Sequence, residues 1–156
     1  MAEMIPSLLP ENTISPGEKE LFRRLKDDPI AENWIVFHSF DIAKHRKQVS
    51  GEIDFLIIAP GLGVLALEVK AHKSVVRRNG LWYFGSEAKP SKRSPFMQAE
   101  EAMHSLRDAL VSKDTRLGLV PFFHAVIFTH CDFEERSPEW QPWHSISRRR
   151  YRFRGI

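Results

Sequence analysis

Glu52-Ile53-Asp54-Phe55-Leu56-Ile57-Ile58-Ala59-Pro60-Gly61-Leu62-Gly63-Val64-Leu65-Ala66-Leu67-Glu68-Val69-Lys70 is the stretch that decides how this chain folds. Two apolar runs flank a Pro-Gly-Leu-Gly break, the pattern of a hairpin buried on both faces. Its polar groups collect at one end, with Asp54 on the first run and the Glu68-x-Lys70 pair on the second. A charge on a buried strand costs several kcal/mol unless it is paired, opens onto a cleft or binds a cation. A three-residue loop Gly61-Leu62-Gly63, read as a type I turn closed by Gly63 in the left-handed region, fixes an even register. Asp54, Glu68 and Lys70 then share a face, with Lys70 opposite Asp54 and Glu68 its diagonal neighbour. Ile53, Phe55, Ile57, Leu65, Leu67 and Val69 form the other, wholly apolar face. Two readings of the charges stand: a cation site, or a structural salt bridge from Lys70 to Asp54 or Glu68.

Working outward, Ser15-Pro16 predicts a helix start, with Leu21, Phe22 and Leu25 as its apolar stripe and a stop before Pro29. Residues 34–40 read as a strand, and Asn79-Gly80 predicts a second hairpin over 75–84. Ser94-Pro95 opens another helix running to about Val111, with Met97, Ala102, Met103, Leu106 and Leu110 inward, and residues 122–128 form a further strand. This order predicts an α/β fold, a mixed β-sheet flanked by helices. Residues 1–14, with Pro6 and Pro10 and no periodicity, read as a leader packed loosely or not at all. The domain is expected over 15–147, with Trp140 and Trp143 folding back onto it. Residues 148–156 are expected to be a basic tail or a linker to a further segment of a longer protein.

Composition sets limits. A chain of 156 residues, 42% hydrophobic and 28% charged, fits one domain with a real core. Its longest apolar stretch is interrupted by Pro60, Gly61 and Gly63, too short to cross a bilayer. No secretory signal opens the chain, and Cys131 is its only cysteine, so a reducing, cytoplasmic setting is expected. Among enzyme signatures, the phosphate loop Gly-x-x-x-x-Gly-Lys, His-Glu-x-x-His and Gly-x-Ser-x-Gly are all missing. The net charge of +3 is modest, but basic residues cluster at Lys44, Arg46 and Lys47, at Arg77 and Arg78, from Lys89 to Arg93, and at Arg148, Arg149 and Arg150. Such clusters suit phosphate contacts, and Tyr151 and Phe153 among the last arginines add stacking surfaces; solvated loops, or an edge strand at the end, are the alternatives.

Helical geometry separates two acids on the first helix. At about 100° per residue Glu18 lies with Leu21, Phe22 and Leu25, whereas Glu20 shares its side with Arg24 and Asp27. Glu18 also stands where a capping box would return its carboxylate to the Ser15 amide, so capping and a site role both remain open. Gln98 falls one position beyond the equivalent box at Ser94, leaving its amide for a water, a phosphate or a buried hydrogen bond.

Gly17-Glu18 before a helix, Glu52-Ile53-Asp54-Phe55, Gly63-Val64-Leu65-Ala66-Leu67-Glu68-Val69-Lys70 and Ser94-Pro95-Phe96-Met97-Gln98-Ala99 together resemble the nuclease-related domain, NERD, of the PD-(D/E)XK nuclease superfamily. The resemblance covers about residues 15–130 and implies a restriction-endonuclease-like core. It places Glu18, Asp54, Glu68, Lys70 and Gln98 in the catalytic motifs, with Asp54 and Glu68 as metal-binding acids and Lys70 as the catalytic lysine. Ile53 stands where the superfamily's nominal proline would precede the aspartate. The implied activity is hydrolysis of DNA phosphodiester bonds with Mg²⁺, for which Mn²⁺ is a plausible substitute, in a protein fused to or associated with a helicase. The alternative is a catalytically silent nucleic-acid-binding module.

Overall fold

The computed structural model describes residues 1–41, 52–86 and 89–153. Its centre is a six-stranded mixed sheet in the order β1 (Glu3–Ile5), β2 (Ile35–Asp41), β3 (Glu52–Ala59), β4 (Gly63–Lys70), β7 (Phe122–Phe128) and β8 (Ser145–Ile146). β2, β3 and β4 are antiparallel neighbours, whereas β1 with β2, β4 with β7 and β7 with β8 run parallel. The strand pair β5 (Val75–Arg78) and β6 (Leu81–Phe84) forms a separate hairpin. Its turn residues Asn79 and Gly80 both have positive φ, as a two-residue hairpin turn requires.

Helices cover both faces, as expected of a restriction-endonuclease-like core. On one side α1 (Pro16–Asp27) buries Leu21, Phe22 and Leu25 against Val36, Phe55, Ile57, Leu67, Val69 and Ile127. On the other, α2 (Pro95–Lys113) sets Ala102, Met103 and Leu106 on Leu56, Val64 and Ala66. Alternation along β3 and β4 sends Phe55, Ile57, Leu67 and Val69 to the α1 layer and Leu56, Val64 and Ala66 to the α2 layer. Ile53, expected with Phe55 and Ile57, instead packs in the α2 layer, beyond the point where Ser39 interrupts the β2–β3 pairing. Beside α2, the β5–β6 hairpin closes a third cluster in which Trp140 stacks on Phe96 at 4.5 Å between ring centroids.

Several expectations are corrected. Residues 1–14 are not a loose leader throughout: β1 pairs with β2, and Ala2 and Met4 are buried. Residues 148–153 are not an edge strand but helix α3 (Arg148–Phe153). Tyr151 enters the α1 core, and its carbonyl accepts a 2.9 Å hydrogen bond from Arg24. Trp143 and Met97, expected inside, are exposed. The central turn is one residue earlier than expected, because Ala59 pairs with Gly63 around Pro60, Gly61 and Leu62. Leu62 N–H donates to the Ala59 carbonyl and Gly61 has φ +77°, the Pro-Gly pattern of a type II turn. Gly63, at φ +131°, is then free to pair, and any Cβ there would collide with the Pro121 carbonyl.

Candidate active site

That turn places Glu68, not Lys70, across from Asp54, since the ladder ends at Phe55 and Leu67 one step before them. Parity survives the shift, because both loops hold three residues, so the acids and the lysine still share a face. At the end of the ladder the Asp54 side chain takes over from the backbone: Val69 N–H donates to Asp54 Oδ2 at 2.7 Å. On the other flank, Ser39 at φ +53° interrupts the pairing of β2 with β3 beside Asp54. Such distortions open strands next to functional groups.

The cleft at this opening has a volume of about 470 Å³ and is lined by Glu18, Asp54, Glu68, Lys70 and His72 together with Ser15, Pro16, Val69 and Ala71. Glu18 arrives from α1, whose first turn sits close against the sheet. A Cβ on Gly17 would collide with Thr129 Oγ1 and lie 2.8 Å from Ala71 Cβ, so glycine permits the approach. Only half of the expected capping box forms. Ser15 Oγ accepts from Glu18 N–H at 3.3 Å, while Glu18 Oε2 lies 2.8 Å from His38 Nε2. Glu18 therefore faces the domain as its helical phase predicts, and Glu20 pairs with Arg24 on the outer side.

Electrostatics in the cleft are unfavourable for the acids alone. Burial pushes the Asp54 carboxyl up to about 8, the Glu68 and Glu18 charges add to the rise, and the Val69 N–H and Lys70 oppose it. Glu68 is also raised, by burial first, against the pull of Lys70 and Arg93. Lys70 Nζ donates to Glu68 Oε1 at 2.7 Å, and among the described residues no cation makes an ion pair with Asp54. Among the described residues no group of three or more His, Cys, Asp or Glu is already arranged to hold a metal ion. Asp54, Glu68 and Glu18 each have one oxygen engaged, by Val69, Lys70 and His38 respectively. The donor set nevertheless fits a hard divalent cation, being clustered carboxylates whose mutual repulsion such a cation would relieve.

Residues 15–129 match the family model of the nuclease-related domain. The chain belongs to the nuclease-related domain family. No curated protein and no solved structure matches it. The match spans α1 through β7, so every element that lines the cleft lies within the nuclease-related domain.

The other expected site residues divide. Gln98 is half-buried in the first turn of α2, after Ser94, whose hydroxyl accepts from Phe96 and Met97 N–H, and it does not line the cleft. Arg77 is used internally, bonded to Glu139 at 2.7 Å and placed over the Trp82 and Trp140 rings. Arg78 is exposed over Tyr83. Arg148 pairs with Asp132 at 3.5 Å, and Arg150 donates to the Pro142 and Ser145 carbonyls, whereas the exposed Arg149 bonds, among the described residues, through its backbone N–H to Asp132. Lys44, Arg46 and Lys47 lie outside the described residues. Two groups went unforeseen. Arg93 acts on Glu68 from the segment before α2 while pairing with Glu101 at 3.0 Å. His38 is buried on β2 beside Glu18, where its only sequence signal is a polar residue on the inward phase of a strand.

Proposed function

We propose that this nuclease-related domain is a metal-dependent phosphodiesterase acting on DNA, the nuclease part of a larger DNA-processing protein. The observation that carries the proposal is the cleft itself, where Asp54 and Glu68 are raised by burial beside Lys70. Outside a functional site such a cluster is a liability, and strong perturbation inside a cleft marks a functional one. Asp54 and Glu68 are the residues that would hold Mg²⁺, with Mn²⁺ able to replace it. When bound, such a cation polarises a phosphate oxygen and acidifies water.

The chain's own groups supply the rest. Lys70, held by Glu68 Oε1, presents an ammonium where negative charge builds as water adds to phosphorus. The P–O ester bond then breaks, leaving a phosphate monoester and an alcohol once the leaving oxygen takes up a proton. Glu18 contributes a further carboxylate across the cleft. Arg78, Lys92 and Arg93 provide exposed positive charge for the phosphate backbone.

The test is incubation of the purified chain with closed-circular, linear and single-stranded DNA, with and without Mg²⁺ or Mn²⁺. Cleavage is expected only with the metal, and not by Glu68→Gln. Salt-dependent binding without cleavage under any of these conditions would overturn the enzyme reading and leave a silent nucleic-acid-binding module.

A further inference from the structure

His38 is placed where packing alone offers no reason for an imidazole. Its side chain is 1% exposed, between Phe22 at 5.8 Å and Phe55 at 4.9 Å between ring centroids. Nε2 lies 2.8 Å from Glu18 Oε2, while Nδ1 is buried without a hydrogen-bond partner among the described residues. These facts choose the tautomer. A proton on Nδ1 would bury an unsatisfied N–H, at a cost of about 1–3 kcal/mol, and would turn the Nε2 lone pair toward a carboxylate oxygen. With the proton on Nε2, the ring donates to Glu18, and the unprotonated Nδ1 rests in the aromatic slot.

We propose that His38 is a positioning residue that clamps Glu18 Oε2 through Nε2–H and so holds the other Glu18 oxygen toward the cleft lined by Asp54 and Glu68. The proposal rests on the cation-site reading above and deepens it. A glutamate at the first turn of a helix has freely rotating side-chain bonds, and an unheld carboxylate would swing into solvent away from two like charges. The clamp counters that tendency, as second-layer hydrogen bonds do for carboxylates around metals. His38 touches neither substrate nor cation in this arrangement. It acts through Glu18 and from the opposite side of it.

The experiment is titration of the full chain with Mn²⁺ alone, followed by calorimetry, with thermal melting of the metal-free protein in parallel. The wild type is expected to bind. His38→Phe, which refills the aromatic slot but has no donor, is expected to weaken binding about tenfold or more. In a Glu18→Gln background the same change should cause no further loss, because the histidine acts only through that carboxylate. His38→Gln, whose amide nitrogen reaches the place of Nε2, should recover most of the affinity; His38→Asn, whose amide stops at the place of Nδ1, should not. This Gln and Asn pair decides the question if the phenylalanine variant fails to fold. A His38 that merely anchors α1 would lower the melting temperature in these variants and leave Mn²⁺ affinity unchanged, and that result overturns the proposal. Absence of Mn²⁺ binding by the wild type would instead overturn the cation site itself, and the proposal with it.

Discussion

Asp54→Asn tests whether the cleft trades stability for charge. The asparagine oxygen can accept the Val69 N–H as Oδ2 does, so the substitution removes the charge and keeps the 2.7 Å hydrogen bond. With the carboxyl raised from 3.8 to about 8, folded protein binds a proton more strongly than unfolded chain throughout that interval. Stability of the metal-free wild type must therefore fall as pH rises from about 4 to 8. At about 1.4 kcal/mol per pH unit the displacement sets a ceiling of roughly 6 kcal/mol. Asp54 is only half-buried and shares its field with Glu68, so the expected gain of Asp54→Asn at pH 8 is about 1–3 kcal/mol. For a chain of this size that is a rise of roughly 2–12 °C in melting temperature. Melting of both proteins from pH 4.5 to 8.5 without divalent metal measures it, and the gain should vanish near pH 4.5. The same variant should lose Mn²⁺ binding. A variant no more stable than wild type at pH 8 would refute the argument that burial strains this carboxylate.

Four further outcomes are expected. Lys70→Met should reduce DNA cleavage about 100-fold or more while keeping Mn²⁺ binding, since it removes the ammonium and leaves the carboxylates; equal loss of metal affinity, read by calorimetry, would make the lysine a structural ion-pair partner. Glu18→Gln should cut turnover with little change in melting, whereas Glu20→Gln, which loses only an outer contact to Arg24, should shift stability by no more than about 0.5 kcal/mol and leave cleavage intact. Tyr151→Ala should cost about 3 kcal/mol in urea unfolding because Tyr151 is 1% exposed in the α1 core, and an unchanged midpoint would return α3 to the status of a tail. Arg149→Ser should flatten the slope of log affinity against log salt by about 0.9 on duplex DNA in an anisotropy series, and Arg148→Ser or Arg150→Ser by less, since those two side chains already have partners in the domain.

What the sequence made legible follows from how far each interaction reaches along the chain. The hairpins, α1, α2 and the β7 strand rest on local signals: alternation, Ser-Pro caps and Asn-Gly or Pro-Gly turns. Asp54, Glu68 and Lys70 could be gathered because a single turn fixes their parity, and parity tolerates the displacement of that turn from Gly61 to Pro60. The choice of opposing residue does not tolerate it, which is why Glu68 rather than Lys70 faces Asp54. Residues bonded across distant segments were illegible for a different reason. Arg77 meets Glu139 across 62 positions, and Arg24 meets the Tyr151 carbonyl across 127, so neither arginine carries a local mark separating it from one that awaits a phosphate.

His38 and Glu18 show why the capping question stayed open until the layers were assembled. In the helix alone, Ser15 and Glu18 satisfy the capping pattern, and nothing within four residues offers the carboxylate a stronger partner. The stronger partner comes from β2, twenty positions away, and reaches Glu18 only because α1 packs its first turn on the sheet beside the cleft. Glu18 is then an acid of the cleft whose orientation depends on a side chain outside the cleft lining. Loss of catalysis through His38 with the melting temperature and the Asp54 and Glu68 variants unchanged in behaviour would locate that dependence in the carboxylate's direction rather than in the stability of α1.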